Sequence, residues 1–133
     1  MTNYVNILKS SGLKATLQRL SILEIIDNSG HIKIDDLYQE MYQTHPTLSL
    51  ATVHKNIITM IDRNVLLEVP IIGGKSFFEL KKLDHIHLIC NSCNSIEDRD
   101  MVNSNIDFLS PSNEFLLSHS QVNLYGTCSR CQN

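Results

Sequence analysis

The sequence lacks any apolar run that approaches a membrane span, which takes about 20 residues. Its start, MTNYVNILKSSGLK, also lacks the basic flank and apolar core of a secretory signal peptide. No internal repeat or low-complexity tract is present. These absences together predict a soluble, cytoplasmic protein that is not built from repeats.

The chain has little net charge. Eleven Lys and Arg stand against 14 Asp and Glu, which leaves −3 at pH 7. No general positive field therefore marks a nucleic-acid binder, and a prediction of DNA binding has to rest on local pattern. At 133 residues, the chain can bury one ordinary core or form two small domains. A domain of some fifty residues would need a staple such as a metal ion.

Cysteine is scarce but ordered. The four cysteines form two Cys-x-x-Cys pairs, Cys90 with Cys93 and Cys128 with Cys131. Two such turns can complete the tetrahedron that Zn²⁺ favours with thiolates, although the 34 residues between the pairs exceed the usual zinc-ribbon gap. Two alternatives to zinc are a pair of disulfides and a dithiol redox centre. Disulfides would suit a secreted protein, and a redox Cys-x-x-Cys motif should lie at the start of a helix. Because Cys90 follows the strand-like run HIHLI, the pattern favours one tetrathiolate zinc site.

The first half of the chain has helical periodicity. It predicts a short helix around Val5–Leu8, a second helix capped by Thr16, and a third from about Lys33 to Tyr42. Ser49 is placed to cap a fourth helix, LATVHKNIITMID. In the second helix the inward positions are predicted as either Leu20, Leu23 and Ile26 or Ile22 and Ile26. In the third and fourth helices they are predicted at Ile34, Leu37, Tyr38, Met41, Val53, Ile57, Met60 and Ile61.

The outer face of the fourth helix is small or polar, with Ala51, Thr52, Lys55 and Thr59 and no carboxylate before Asp62. Such a face suits a helix that enters a DNA major groove, although an ordinary solvated face looks the same. LLEVPII, Gly-Gly and KSFFEL then predict a hairpin with a two-residue primed turn at 73–74. Helices followed by a hairpin indicate a winged helix-turn-helix.

The second half predicts a small α/β piece. HIHLIC and SIED are expected as strands, MVNSNIDFLS as a short helix, and FLLSHSQVNLYGTC as a longer, bulged final strand. Because such a piece is marginal alone, we expect it to pair with a second copy. The predicted class is therefore α+β, with a winged-helix DNA-binding domain at 1–80, a hinge at about 79–83, and a dimerisation and zinc-binding domain at 84–133.

A second metal site is indicated by His85 and His87, which are two apart on a strand and so project from one face. Asp98 lies on the next strand, Glu79 ends the wing, and His31 precedes the third helix. Nitrogen and carboxylate ligands suit exchangeable Fe²⁺, Mn²⁺ or Zn²⁺. A pair of surface or core histidines is the plain alternative. A metalloenzyme is another, because two histidines and a carboxylate are also an oxygenase signature, but no other acid, base or nucleophile cluster is present. A zinc-stapled protein-interaction module is the third.

The chain resembles the ferric uptake regulator (Fur) family, and most of all its peroxide-sensing branch, PerR. LKATLQRLSIL, SLATVHKNI, HIHLICNSCNSIED and LYGTCSRC carry the resemblance, which covers nearly the whole chain. It implies a homodimeric, metal-dependent transcriptional repressor rather than an enzyme, with a double-stranded DNA operator as its partner and with neither a membrane nor a small-molecule substrate.

The resemblance also implies the roles of individual residues. Structural Zn²⁺, one per subunit, would be bound by Cys90, Cys93, Cys128 and Cys131. Regulatory Fe²⁺ or Mn²⁺ would be bound by His31, Glu79, His85, His87 and Asp98, a site that in the family joins the two domains. The expected DNA contacts are Lys14, Arg19 and Lys55 at phosphates or in the groove, and Ser49, Thr52 and His54 near base edges.

Two positions bear on the branch. Asp98 is typical of peroxide sensors, whereas Glu79 is typical of iron regulators, so an iron regulator is the alternative function. A zinc, manganese or nickel regulator of the same family is a further alternative, because these regulators share much of this scaffold. In a peroxide sensor, the expected oxidation targets are His31 and His85.

Three departures from the family pattern stand beside these. His54 replaces a usual Tyr and Leu17 a usual Pro. Ile86 and Asn105 replace the acidic residues of an additional site, which leaves His119 alone there and one regulatory site per subunit.

Overall fold

The computed structural model describes residues 2–82, 85–100, 115 and 120–133, which divide into two compact units, Met1–Lys81 and Lys82–Asn133. Each unit has its own three-stranded sheet. Within the described ranges, no helix combines the length and the hydropathy needed to cross a bilayer. The predicted α+β class is confirmed.

Four helices dominate the first unit: α1 (Tyr4–Ser10), α2 (Leu17–Ser29), α3 (Ile34–Thr44) and α4 (Leu50–Asp62). Both predicted N-caps are present. The Thr16 side chain accepts a hydrogen bond from the Arg19 N–H at 3.2 Å, and the Ser49 side chain accepts one from the Thr52 N–H at 3.1 Å. Each cap satisfies a donor that the first helical turn leaves free, which fixes where α2 and α4 begin.

The core of this unit lies between the inward faces of α2, α3 and α4. The predicted stripes are buried at Ile22, Leu23, Ile26, Leu37, Met41, Val53, Ile57 and Met60. Four other predicted positions, Leu20, Ile34, Tyr38 and Ile61, pack at the margin and are half-buried. Packing of these stripes leaves the opposite face of α4 free for another role.

The sheet of this unit has the order β1-β3-β2, formed by β1 (Ile32–Lys33), β2 (Leu66–Val69) and β3 (Phe77–Leu80). The predicted two-residue turn is wrong, because the β2–β3 ladder closes at Val69 and Phe77 and leaves a seven-residue loop. Pro70 has no N–H with which to continue the ladder. Gly73 does take a positive φ of 74°, but within a turn in which the Gly74 N–H donates to the Ile71 carbonyl at 3.3 Å.

The second unit contains β4 (His85–Cys90), β5 (Ile96–Asp100), β6 (Val122–Gly126) and a 3₁₀ helix at Ser129–Cys131. Its sheet has the order β5-β4-β6, with β5 antiparallel and β6 parallel to β4. In residues 120–133, the final strand is shorter than predicted, and its register with β4 is continuous, without the predicted bulge. The predicted helix MVNSNIDFLS and residues 116–119 lie outside the described residues.

The register divides the second sheet into two faces. One, which we call the ligand face, carries His85, His87, Asp98 and Asn123. The other, which we call the apolar face, carries Ile86, Leu88, Val122 and Leu124 on β4 and β6, of which Leu124 is 52% exposed, and the Glu97–Arg99 ion pair on the edge strand β5. The chemistry and the remaining apolar surface of this unit therefore lie on opposite sides of one sheet.

Candidate metal centres and DNA-binding surface

Two tight turns bring the four cysteines together. The first follows β4, where the Asn94 N–H donates to the Cys90 carbonyl at 2.9 Å and Asn94 takes a φ of +61°. The second is the 3₁₀ turn, closed by the Cys131 N–H and the Cys128 carbonyl at 3.0 Å. Because β4 and β6 are parallel neighbours, both turns leave the same end of the sheet. The sheet thus joins two cysteine pairs that are far apart in sequence.

The four sulfurs form what we call the thiolate cluster, in which all lie within 4.8 Å of one another. The four cysteines are free, and the Cys93 and Cys128 sulfurs are 3.8 Å apart, far beyond a disulfide bond of about 2.05 Å. An ion held tetrahedrally at about 2.3 Å by sulfur would space its ligands by about 3.8 Å. The arrangement therefore fits zinc and does not fit the disulfide alternative.

The thiols of this cluster perturb one another. Hydrogen bonds from the backbone of Cys128 and then of Cys93 lower the pKa of the Cys90 thiol to about 6. Interactions with the sulfurs of Cys128, Cys93 and Cys90 raise the pKa of Cys131 to about 12. Backbone donors therefore stabilise the Cys90 thiolate, whereas the Cys131 thiol resists deprotonation unless a cation is present.

The ligand face brings together the histidines and the carboxylate predicted for it. The Nε2 atoms of His85 and His87 are 2.9 Å apart, and Asp98 Oδ1 lies 3.6 Å from the first and 3.8 Å from the second. The register accounts for this, because Asp98 is the direct partner of His87 across β4 and β5. His87 is fully buried and Asp98 is 36% exposed, so the group is open on the carboxylate side.

His31 and Glu79 meet in the first unit. The β1–β3 ladder pairs Ile32 with Phe78, so the next position outward places His31 opposite Glu79. His31 Nε2 lies 2.7 Å from Glu79 Oε2, so the imidazole and the carboxylate are in direct contact. Glu79 is fully buried. A buried carboxylate needs a cationic or metal partner, and both atoms are potential metal ligands.

Asn123 and Gln121 contribute to the ligand face, and neither was predicted from the sequence. Asn123 Oδ1 lies 2.8 Å from His87 Nδ1, and Asn123 Nδ2 donates to Gln121 Oε1 at 2.6 Å. Both residues come just before the LYGTC motif. Asn123 lies on β6, the strand that pairs with the His-x-His strand, and Gln121 immediately precedes that strand, so position in the sequence is the only signal for them.

The predicted DNA contacts lie in the first unit, at the start of α2 and along α4. Lys14, Ser49, His54 and Lys55 are exposed, whereas Arg19 and Thr52 are half-buried. Arg19 also donates to Asn56 Oδ1 at 3.3 Å and to the Lys14 carbonyl at 3.1 Å, which ties α2 to α4. The Ser49 and Thr52 hydroxyls are 2.9 Å apart within the helix cap. The exposed side chains of Lys14, His54 and Lys55 take part in none of these contacts.

Comparison with known proteins identifies the family. The family described as "Ferric uptake regulator family" matches residues 10–125. A ferric uptake regulation protein of Bordetella parapertussis is 34% identical over 131 residues and 94% of either chain. The peroxide-responsive repressor PerR of Staphylococcus aureus is 30% identical over 128 residues, 94% of this chain and 86% of that protein.

A solved structure indicates the same family. The Campylobacter jejuni peroxide stress regulator superposes with a TM-score of 0.77 at 32% identity, covering 98% of this chain and 100% of the other. Iron and peroxide regulators thus both appear among the similar proteins. Members of this family are transcriptional regulators that bind DNA as dimers, and not enzymes, which removes the metalloenzyme alternative. The chain belongs to the Ferric uptake regulator family and is a metal-responsive regulator.

Proposed function

We propose that this regulator is a cytoplasmic, homodimeric repressor that releases its operator when peroxide oxidises the protein at a regulatory Fe²⁺ or Mn²⁺ site. The observation that carries the proposal is the convergence of two imidazole nitrogens and one carboxylate oxygen on the ligand face, with 2.9 to 3.8 Å between them. The four cysteine sulfurs of the same unit form a second, separate group of potential metal ligands.

The two ligand sets differ in how firmly they hold a metal. Four thiolates suit Zn²⁺ that is retained as part of the fold. Imidazole and carboxylate suit Fe²⁺ or Mn²⁺ at an exchangeable site. In the proposal, Cys90, Cys93, Cys128 and Cys131 hold the structural ion, and His85, His87 and Asp98 hold the regulatory ion together with His31 and Glu79. A reducing cytoplasm, which keeps thiols free, is consistent with the first set.

The apolar face supports dimerisation through the second unit. Ile86, Leu88 and Val122 are half-buried and Leu124 is 52% exposed, so four adjacent apolar side chains remain accessible on one side of the sheet. A unit of about fifty residues gains stability when such a face is covered by a second copy. The DNA-binding role is assigned to the first unit, with α4 as the reading helix and β2–β3 as the wing.

Asp98 supports peroxide sensing over iron sensing. The family resemblance associates this shorter carboxylate with iron that peroxide can reach, and Asp98 is 36% exposed. Iron held there would supply the redox chemistry that activates peroxide. Peroxide is the two-electron oxidant and the imidazole is what it oxidises: one peroxide oxygen would enter a ring C–H bond of His31 or His85, the other would leave as water, and the oxidised ring would be a weaker ligand. The second candidate, an iron regulator, is favoured by Glu79 and by the Bordetella relative.

One experiment separates the two. The zinc-containing dimer is titrated onto its operator with Fe²⁺, Mn²⁺ or added Zn²⁺, then treated with peroxide and digested for mass spectrometry. A gain of about 16 Da on the His31 or His85 peptide, together with release of DNA, is expected for the iron-loaded protein. Iron-dependent binding that survives peroxide with both peptides unmodified would select the iron regulator. Indifference to every metal would reject both.

Substitution of Lys55 tests the proposed DNA-binding surface on α4. Because an exposed cation on α4 contacts a phosphate in this proposal, Lys55→Ala should weaken binding to all sequences alike and reduce the slope of log K against log salt by about 1. Lys9→Ala on α1 removes the same charge from the same unit and is the control, with an expected slope close to that of the unmodified protein. Equal slopes for both variants would remove α4 from the contact surface.

A further inference from the structure

The two ring nitrogens of His87 have different neighbours. Nε2 faces the other ligands, 2.9 Å from His85 Nε2 and 3.8 Å from Asp98 Oδ1, whereas Nδ1 lies 2.8 Å from Asn123 Oδ1. A neutral imidazole carries its proton on one nitrogen, and the other nitrogen alone can bind a metal. The partner of Nδ1 therefore decides whether Nε2 is available as a ligand.

Asn123 is held in place by the backbone and by a neighbouring side chain. β6 runs parallel to β4 with Asn123 opposite His87, so the register fixes the distance between them. The Asn123 amide nitrogen donates to Gln121 Oε1 at 2.6 Å, which turns the amide oxygen towards His87. Because an amide oxygen can accept and cannot donate, the hydrogen bond requires the proton to be on His87 Nδ1.

We propose that Asn123 is a positioning residue that keeps His87 in the Nδ1–H tautomer, so that Nε2 is the unprotonated nitrogen that can bind the regulatory metal, with Gln121 orienting the amide. His87 is fully buried, so water cannot take over this role freely. Metal-binding histidines commonly depend on such an acceptor, whose loss weakens metal binding by about 10–100-fold. The assignment of the metal rests on the proposed function, but the tautomer does not.

The tautomer is measured directly. Full-length, zinc-containing protein labelled with ¹⁵N-histidine, without added Fe²⁺ or Mn²⁺, is studied by long-range ¹H–¹⁵N spectroscopy at a pH where the ring is neutral. His87 should show a protonated Nδ1 and an unprotonated Nε2, and Asn123→Leu, which has similar volume but no acceptor, should lose this preference. A protonated Nε2 in the unmodified protein would overturn the proposal, because the amide would then be donating to Nδ1.

Metal affinity gives the second measurement. In a Mn²⁺ titration, Asn123→Leu should bind about 10-fold or more weakly, and Asn123→Asp, which restores an acceptor, should return to within about 3-fold of the unmodified protein. Zinc content and melting temperature serve as controls for the fold. If Asn123→Leu fails to fold, Gln121→Leu takes its place and should reduce the Nδ1–H preference.

The outcomes separate the two proposals. A folded Asn123→Leu protein that binds Mn²⁺ as tightly as the unmodified protein would reject the positioning role. If the unmodified protein itself binds no Mn²⁺ through His85, His87 and Asp98, the proposed function fails, and the spectrum alone decides the role of Asn123.

Discussion

Replacing Cys128 with serine should release the bound zinc and unfold the second unit, the largest effect that we expect from any single substitution in this chain. Cys128 lies at the centre of the thiolate cluster, with its sulfur 3.8 Å from that of Cys93 and its N–H donating to the Cys90 sulfur at 3.4 Å. Structural zinc contributes about 10–16 kcal/mol to folding in small domains, more than a unit of this size can replace.

The measurement combines three readouts. Zinc per subunit should fall from one ion to near none, the dimer should dissociate in size-exclusion chromatography with light scattering, and operator binding should be lost. Ser129→Ala changes an exposed side chain in the same turn and should leave all three unchanged. The first unit has its own core, so helical circular dichroism should largely persist. A Cys128→Ser dimer that retains its zinc would show that the tetrathiolate assignment is wrong.

Local signals in the sequence predicted the elements of the fold well. Thr16 and Ser49 mark helix starts because an N-cap needs no more than a hydroxyl and the following turn, all within four residues. The buried faces of α3 and α4 follow from spacing alone. The gathering of four cysteines was also foreseeable, since two Cys-x-x-Cys turns have few other uses in a chain without disulfides.

Pairings between distant strands were not foreseeable. Strand β1 has two residues, too few for any periodic signal, yet its register with β3 brings His31 within 2.7 Å of Glu79. The loop between β2 and β3 was wrongly predicted as a primed turn because Gly73-Gly74 is a strong local signal, and the effect of Pro70 on the ladder was overlooked. Asn123 was missed because it is 36 residues from His87, and only the parallel pairing of β4 with β6 makes them neighbours.

Replacing Asp98 with alanine should abolish the response to the regulatory metal while leaving the protein folded. Asp98 is 36% exposed at the open side of the ligand face, so its removal creates no buried cavity. Loss of an outer hydrogen-bond partner alone weakens metal sites by about 10–100-fold, and loss of a direct ligand should cost more than about 100-fold in Mn²⁺ affinity. Operator binding at a fixed, low Mn²⁺ concentration should then fall to the level of the metal-free protein.

Glu97→Ala is the matched control for this substitution. Glu97 lies on the same strand but on the opposite face, where it pairs with Arg99 at 2.8 Å, and its loss changes the net charge by the same amount. Mn²⁺ affinity and operator binding should be close to those of the unmodified protein, and zinc content should stay at one ion per subunit in both variants. Equal losses of Mn²⁺ affinity and operator binding in the two variants would mean that the negative charge on β5, and not metal ligation by Asp98, governs DNA binding.

Asp98→Glu carries the same experiment to the choice between peroxide and iron sensing. The longer side chain keeps a carboxylate on the ligand face, so metal-dependent operator binding should persist within about 10-fold. If the shorter arm of Asp98 is what leaves iron open to peroxide, the gain in mass on the His31 and His85 peptides should largely disappear in this variant. If metal-dependent binding is retained and oxidation is lost, then any carboxylate at this position can bind the metal, and the shorter side chain is what lets peroxide reach the iron. Equal oxidation in the unmodified protein and the Asp98→Glu variant would place the control of peroxide reactivity in other residues, and Glu79, fully buried against His31, would be the next to test.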